Sequence, residues 1–60
     1  MNTRLRERRD EQGIMQQQIA DLAHISLKSY QRIEKGVQDP SVTVAKLIAK
    51  ALKSTVEELF

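Results

Sequence analysis

In sixty residues this chain carries two glycines and one proline, Gly13, Gly36 and Pro40. Backbone breakers are therefore few, and every other interruption must come from a capping side chain or a change in the apolar pattern. No stretch alternates apolar and polar residues as a half-buried strand would, so the segments between breaks read as helices. A first helix is expected from about Thr3 to Gln12, with Asn2 or Thr3 as its N-cap and Gly13 as its stop. Leu5 is its only large aliphatic residue, so contacts with other elements must hold it. A second helix is expected from about Met15 to Ala23, with Ile19, Leu22 and Ala23 recurring along one face. His24 and Ile25 make a tight connection to Ser26, a good N-cap. A third helix runs from Leu27 to about Lys35 and is closed by Gly36. It turns Tyr30 and Ile33 inward and Leu27, Lys28, Gln31, Arg32 and Lys35 outward.

The loop Val37-Gln38-Asp39-Pro40 leads to another N-cap, Ser41, and a fourth helix from Val42 to Leu52. Its stripe of Ala45, Ile48, Ala49 and Leu52 is widened by Val44, Leu47 and Ala51, the pattern of a helix buried over much of its circumference. Thr55-Val56-Glu57-Glu58 has capping-box spacing, and Leu59 and Phe60 offer an apolar end to fold back on the core. The expected fold class is all-α, five short helices in a single domain over residues 1–60.

Composition narrows what such a domain can do. A chain of this size buries only roughly 60% of the surface it exposes when unfolded, which leaves little room for an enclosed substrate pocket. With no cysteine there is no disulfide, thiolate metal site or thiol nucleophile, as fits a reducing cytoplasmic setting. Met1-Asn2-Thr3-Arg4 leads into charge rather than an apolar run, so no signal peptide is expected. Lysines interrupt the apolar stretches too often for a membrane span. Ten basic against eight acidic side chains give a formal +2, which permits a polyanionic partner without demanding one. Tyr30 and Phe60 are too few aromatics for the stacking surface of many single-strand binders. No Ser/His/Asp set, paired-carboxylate motif, Gly-rich phosphate loop or metal-ligand cluster occurs, and a lone His24 reads as a turn residue. No enzymatic activity, cofactor, metal or small-molecule substrate is expected.

The informative segment is Gln16 to Gly36. Two short helices joined by about three residues can cross steeply, and the second then presents Leu27, Lys28, Gln31, Arg32 and Lys35 on one face. A DNA major groove admits one α-helix. Lysine and arginine can donate to guanine, glutamine can pair with adenine, and leucine can touch a thymine methyl. Exposed cations on a helix are more often a solvated face, so spacing alone leaves both readings open.

The run Gly13-Ile14-Met15-Gln16-Gln17-Gln18-Ile19-Ala20-Asp21-Leu22-Ala23 is followed by Ile25-Ser26, Ile33-Glu34-Lys35-Gly36, Pro40-Ser41 and Ile48-Ala49-Lys50-Ala51-Leu52. Together these resemble the Cro and phage-repressor (Xre-like) helix-turn-helix family over nearly the whole chain, Leu5 to Phe60. The resemblance implies a compact five-helix, lambda-repressor-like DNA-binding domain, with Ser26 to Lys35 as recognition helix, in a transcriptional regulator of operator DNA. It implies that Gln16 is a phosphate-binding glutamine. Leu27, Lys28 and Arg32 match base-facing positions, with Ser26 and Ser29 alongside, and Lys35 with the amides after Gly36 matches a phosphate clamp. It further implies a partly buried ion pair between Arg9 and Glu34 that ties the first helix to the recognition helix, a structural role rather than a DNA-reading one.

Departures from the family pattern lie away from the groove-facing positions. Met15 stands where a Ser or Thr N-cap is usual, so the second helix should start less firmly. His24 stands where glycine is common in the turn, and Lys53 replaces a frequent helix-ending glycine. Asp39 makes the loop after Gly36 less basic than usual, which predicts modest phosphate affinity there. The resulting reading is a sequence-specific binder of double-stranded operator DNA, a repressor or similar regulator. It is expected to act as a homodimer on half-sites roughly 34 Å apart, joined near Val56, Leu59 and Phe60. A rival of another class keeps the fold as a protein-interaction module of antitoxin or coactivator type. A third reading, the N-terminal domain of a longer regulator, moves dimerisation elsewhere.

Overall fold

The computed structural model describes residues 3–60. Among them the order is α1 (Thr3–Gln12), α2 (Gln16–Leu22), α3 (Leu27–Lys35), α4 (Val42–Ala51) and α5 (Val56–Leu59), with no strand. Thr3 already lies within α1, and the alternative N-cap Asn2 lies outside the described residues. The second and fourth helices are shorter than expected, because Met15 and Ala23 flank α2 and Leu52 follows α4 as cap positions.

Four helices end in one motif. The residue past each end has a left-handed backbone: Gly13 at φ +66°, His24 at +58°, Gly36 at +79° and Lys53 at +54°. Each sends its N–H back three residues, to the carbonyls of Asp10, Asp21, Ile33 and Lys50 respectively. The next residues, Ile14, Ile25, Val37 and Ser54, reach back five, to Arg9, Ala20, Arg32 and Ala49. This paired back-bonding satisfies carbonyls that the helix leaves without partners. Ile14 and Ile25 then pack against the core, so these stops also fix the path of the chain.

The helix starts are less uniform. Ser26, Ser41 and Thr55 accept from the backbone N–H groups of Ser29, Val44 and Glu58 at 3.1, 3.1 and 3.2 Å. Met15 has no oxygen to offer, and instead the Gln18 side chain returns to accept from the Met15 N–H at 2.9 Å. At α5 the Glu58 carboxylate accepts from Ser54 Oγ at 2.8 Å, so the expected capping box keeps its Thr55 arm and diverts the other.

The core collects Leu5 from α1, Ile19, Ala20 and Ala23 around α2, Tyr30 and Ile33 from α3, Ile48, Ala49 and Leu52 around α4, and Leu59 from α5. The expected stripe of α2 needs correction. Leu22 is 56% exposed, while Ala20 is fully buried. The buried arc centres on Ala23 between Ile19 and Ala20, about 100° of helix rotation from Leu22. Two alanines on that arc let α2 lie close to both α3 and α4.

α1 has one core side chain and is held chiefly by its arginines. Arg8 Nε donates to the Leu52 carbonyl at 2.9 Å and its Nη2 to the Lys53 carbonyl at 2.8 Å, gripping the end of α4. Arg4 Nη1 donates to the Glu58 carbonyl at 3.3 Å. The whole assembly measures 22 × 22 × 20 Å.

Candidate nucleic-acid interface

α3 owes its orientation to Tyr30, Ile33 and Glu34, all buried on one side. Lys28 and Arg32, one helical turn apart, are therefore exposed on the other, and Lys35 follows them. Among the described residues none of these three cations is held by an ion pair or hydrogen bond. Leu27, Ser29 and Gln31 are half-buried at the margins of that face. Ser26 Oγ is occupied by the cap: it accepts from the Ser29 N–H and donates to Ser29 Oγ at 3.0 Å. Of the two serines, Ser29 keeps its hydroxyl proton for an outside acceptor.

Beside this face lies a polar network. Arg9 Nε donates to Glu34 Oε2 at 3.1 Å and Nη2 to Glu34 Oε1 at 3.2 Å, a two-pronged pair between α1 and α3. Arg9 Nη1 donates to the Ile14 carbonyl at 3.1 Å, which ties the α1–α2 turn into the same cluster. Gln16, first residue of α2, donates from Nε2 to Glu34 Oε1 at 3.3 Å and accepts from Gln31 Nε2 at 3.2 Å. The structure thus brings Arg9, Glu34, Gln16 and Gln31 together, and leaves Lys28, Arg32 and Lys35 free around them.

Electrostatics explain why the cluster is charged. Burial alone would raise the Glu34 pKa, but the hydrogen bonds and charge of Arg9, helped by the Gln16 amide, hold it below the usual carboxylate range. Its hydrogen bond to Glu34 in turn raises the Arg9 pKa. Burial, reinforced by the Glu34 charge, drives the Tyr30 phenol well above its ordinary value, so it stays neutral. Its buried hydroxyl lies beside the pair without a well-formed hydrogen bond.

Two features escaped the sequence reading. One is the Arg8 clamp; its only trace in sequence is that Arg8 stands three residues after Leu5, on the inward face of α1. The other is the bond between Gln16 and Gln31, side chains read as separate outward contacts. The expected dimer surface needs correction as well. Leu59 is 3% exposed and sealed in the core, Val56 is half-buried against it, and Phe60, 42% exposed, is the most accessible of the three.

Among the described residues no group of three or more His, Asp or Glu side chains could hold a metal ion. No described helix is long and apolar enough to cross a membrane.

A helix-turn-helix family model matches residues 5–59. The chain is 34% identical, over its whole length and 88% of the relative, to an uncharacterized HTH-type transcriptional regulator of Methanothermobacter thermautotrophicus. It is 33% identical to a regulator described in the same words from Archaeoglobus fulgidus, across all of this chain and 86% of the relative. It is 36% identical, over 87% of this chain, to the competence pilus inhibition repressor of Acinetobacter baylyi, of which the match spans 47%.

Proposed function

The chain belongs to the helix-turn-helix family, and from that premise we propose that it is a sequence-specific regulator that docks α3 in the major groove of double-stranded operator DNA. The observation that carries this reading is the contrast on α3 itself. Its inner side is locked by Tyr30, Ile33 and the Arg9–Glu34 pair, while Lys28 and Arg32 stand free on its outer side. A rigid helix with unengaged donors is what base reading needs, because donors already satisfied within the protein have nothing to gain from a base edge. Lys28 and Arg32 read sequence, with Leu27, Ser29 and Gln31 at the margin of the contact. Gln16 and Lys35 hold phosphates and set the register.

Repression is the regulatory sense we favour, in keeping with the repressor among the relatives. A cytoplasmic homodimer on two half-sites matches an interface this small, since one 60-residue unit offers limited contact to each half-site. No catalysis is assigned to it.

Arg32→Ala is the direct test. Selection from a random DNA pool supplies the preferred duplex, and gel-shift titration compares it with a scrambled one. The variant should lose about 1–3 kcal/mol on the preferred duplex and discriminate less between bases at one position. Equal loss on both duplexes would count against base reading by Arg32. Wild-type binding that ignores salt would remove the DNA role altogether, because counterion release makes such binding fall steeply with salt.

A further inference from the structure

We infer that Arg6, on α1, is a further DNA-contact residue, and that the groove between α1, α2 and α3 seats one backbone phosphate against Arg6, Gln16 and Lys35. This rests on the DNA-binding reading above and adds to it a residue from outside the helix-turn-helix. The groove is lined by Arg6, Met15, Gln16, Gln31 and Lys35, with the Arg9–Glu34 pair at its floor. Arg6 precedes Arg9 by three residues, so the two share a face of α1. Arg9 is drawn down to Glu34, whereas Arg6 remains exposed at the rim and meets no acceptor among the described residues.

Charge decides what the groove accepts. Arg9 and Glu34 cancel each other, so the lining keeps two uncompensated cations, Arg6 and Lys35. The neutral side chains between them add donors. The Gln16 amide commits one N–H to Glu34 and its oxygen to Gln31, and the second N–H is left unassigned. The Glu34 carboxylate can only accept, so it fixes the Gln16 amide with its nitrogen inward. A site with two uncompensated cations and one oriented N–H, its carboxylate neutralised by Arg9, is suited to an anion with several oxygens. A phosphodiester fits, and the groove opens beside the exposed face of α3, where such a backbone would pass.

Arg6→Ala and Arg6→Lys separate this from a structural role. Arg6 is exposed and makes no hydrogen bond or ion pair among the described residues, so both variants should melt with the wild type. Binding is measured from ~50 to ~200 mM salt on the preferred duplex and on its scrambled counterpart. Arg6→Ala should flatten the slope of log affinity against log salt by about one on both duplexes. Across that fourfold salt range it should therefore lose about three- to four-fold less affinity than the wild type. Arg6→Lys keeps the charge and should restore the slope.

An unchanged slope in Arg6→Ala, with wild-type binding intact, overturns the inference and leaves the DNA reading standing. A loss confined to the preferred duplex overturns it in favour of base contact. If the wild type itself shows no salt-dependent binding to either duplex, both fall.

Discussion

Arg9 and Glu34 keep their charges where water is scarce, with side chains 15% and 8% exposed. Such a pair is costly to assemble and costlier to break, because the surviving partner is left buried and uncompensated. Replacing either residue should therefore destabilise the fold by about 3–5 kcal/mol. The losses should be strongly non-additive in the double variant Arg9→Ala/Glu34→Ala, as denaturant titration would register; additive losses would mean the two act separately. Acid should imitate the substitution. Glu34 has a lower pKa folded than its ordinary 4.5, so its contribution is complete above that value and disappears as pH falls through the lower folded value. A melting-temperature profile from neutral pH downward should fall more steeply for the wild type than for Glu34→Gln, whose side chain does not titrate. Parallel profiles would show that other carboxylates govern acid unfolding. The neutral Tyr30 phenol beside the pair takes no part in that pH range.

Capping governs the helices, and here the sequence was readable to different depths. Gly13 and Gly36 announce two stops outright, since glycine alone takes a left-handed backbone without steric cost. The other two stops fall on His24 and Lys53, which nothing in local composition marks; only likeness to a family with glycine there pointed to them. An L residue in that conformation is strained by about 1–2 kcal/mol, part of which glycine returns as extra freedom of the unfolded chain. His24→Gly and Lys53→Gly should each raise stability by up to about 1 kcal/mol, or about 4–8 °C in melting temperature. The Lys53 change should keep the Arg8 clamp, whose acceptor is backbone. Met15→Ser should add a similar amount by giving α2 the oxygen cap that α3 and α4 possess, at little packing loss because Met15 is 64% exposed. A lower melting temperature in any of the three would mean that the native side chain makes a contact outweighing the cap. The face of α2 was misread for a different reason. Seven residues make barely two turns, and Ile19 and Ala23 fit a buried arc on either side, so only packing on α3 and α4 selects Ala20 over Leu22.

At the scale of the molecule, α1 acts as a strap. Arg4 and Arg8 reach carbonyls near the chain's far end while Arg9 reaches α3, so one charged helix joins the C-terminal helices to the proposed reading helix. Side-chain bonds between separate helices leave no periodicity, and they span 15 to 25 residues in the Arg9, Gln16, Gln31 and Glu34 cluster and more than forty for the Arg8 clamp. That is why the site's exposed half was legible in sequence and its anchored half only in part. The same long-range packing decides what remains for assembly. With Leu59 in the core and Val56 against it, Phe60 is the apolar side chain left exposed at the C-terminal end. If two copies meet there on operator DNA, joining the half-sites should raise affinity for a palindrome by about a hundred-fold or more through effective concentration alone. Phe60→Ser should then remove most of that advantage. Affinity for an isolated half-site should be unchanged, because Phe60 lies outside the proposed contact surface. Gel-shift titrations on one and two half-sites, paired with sedimentation of the free protein, measure both quantities. A palindrome advantage that survives Phe60→Ser would move the interface to another surface, whereas loss on the isolated half-site would show that the substitution disturbs the fold rather than the pairing.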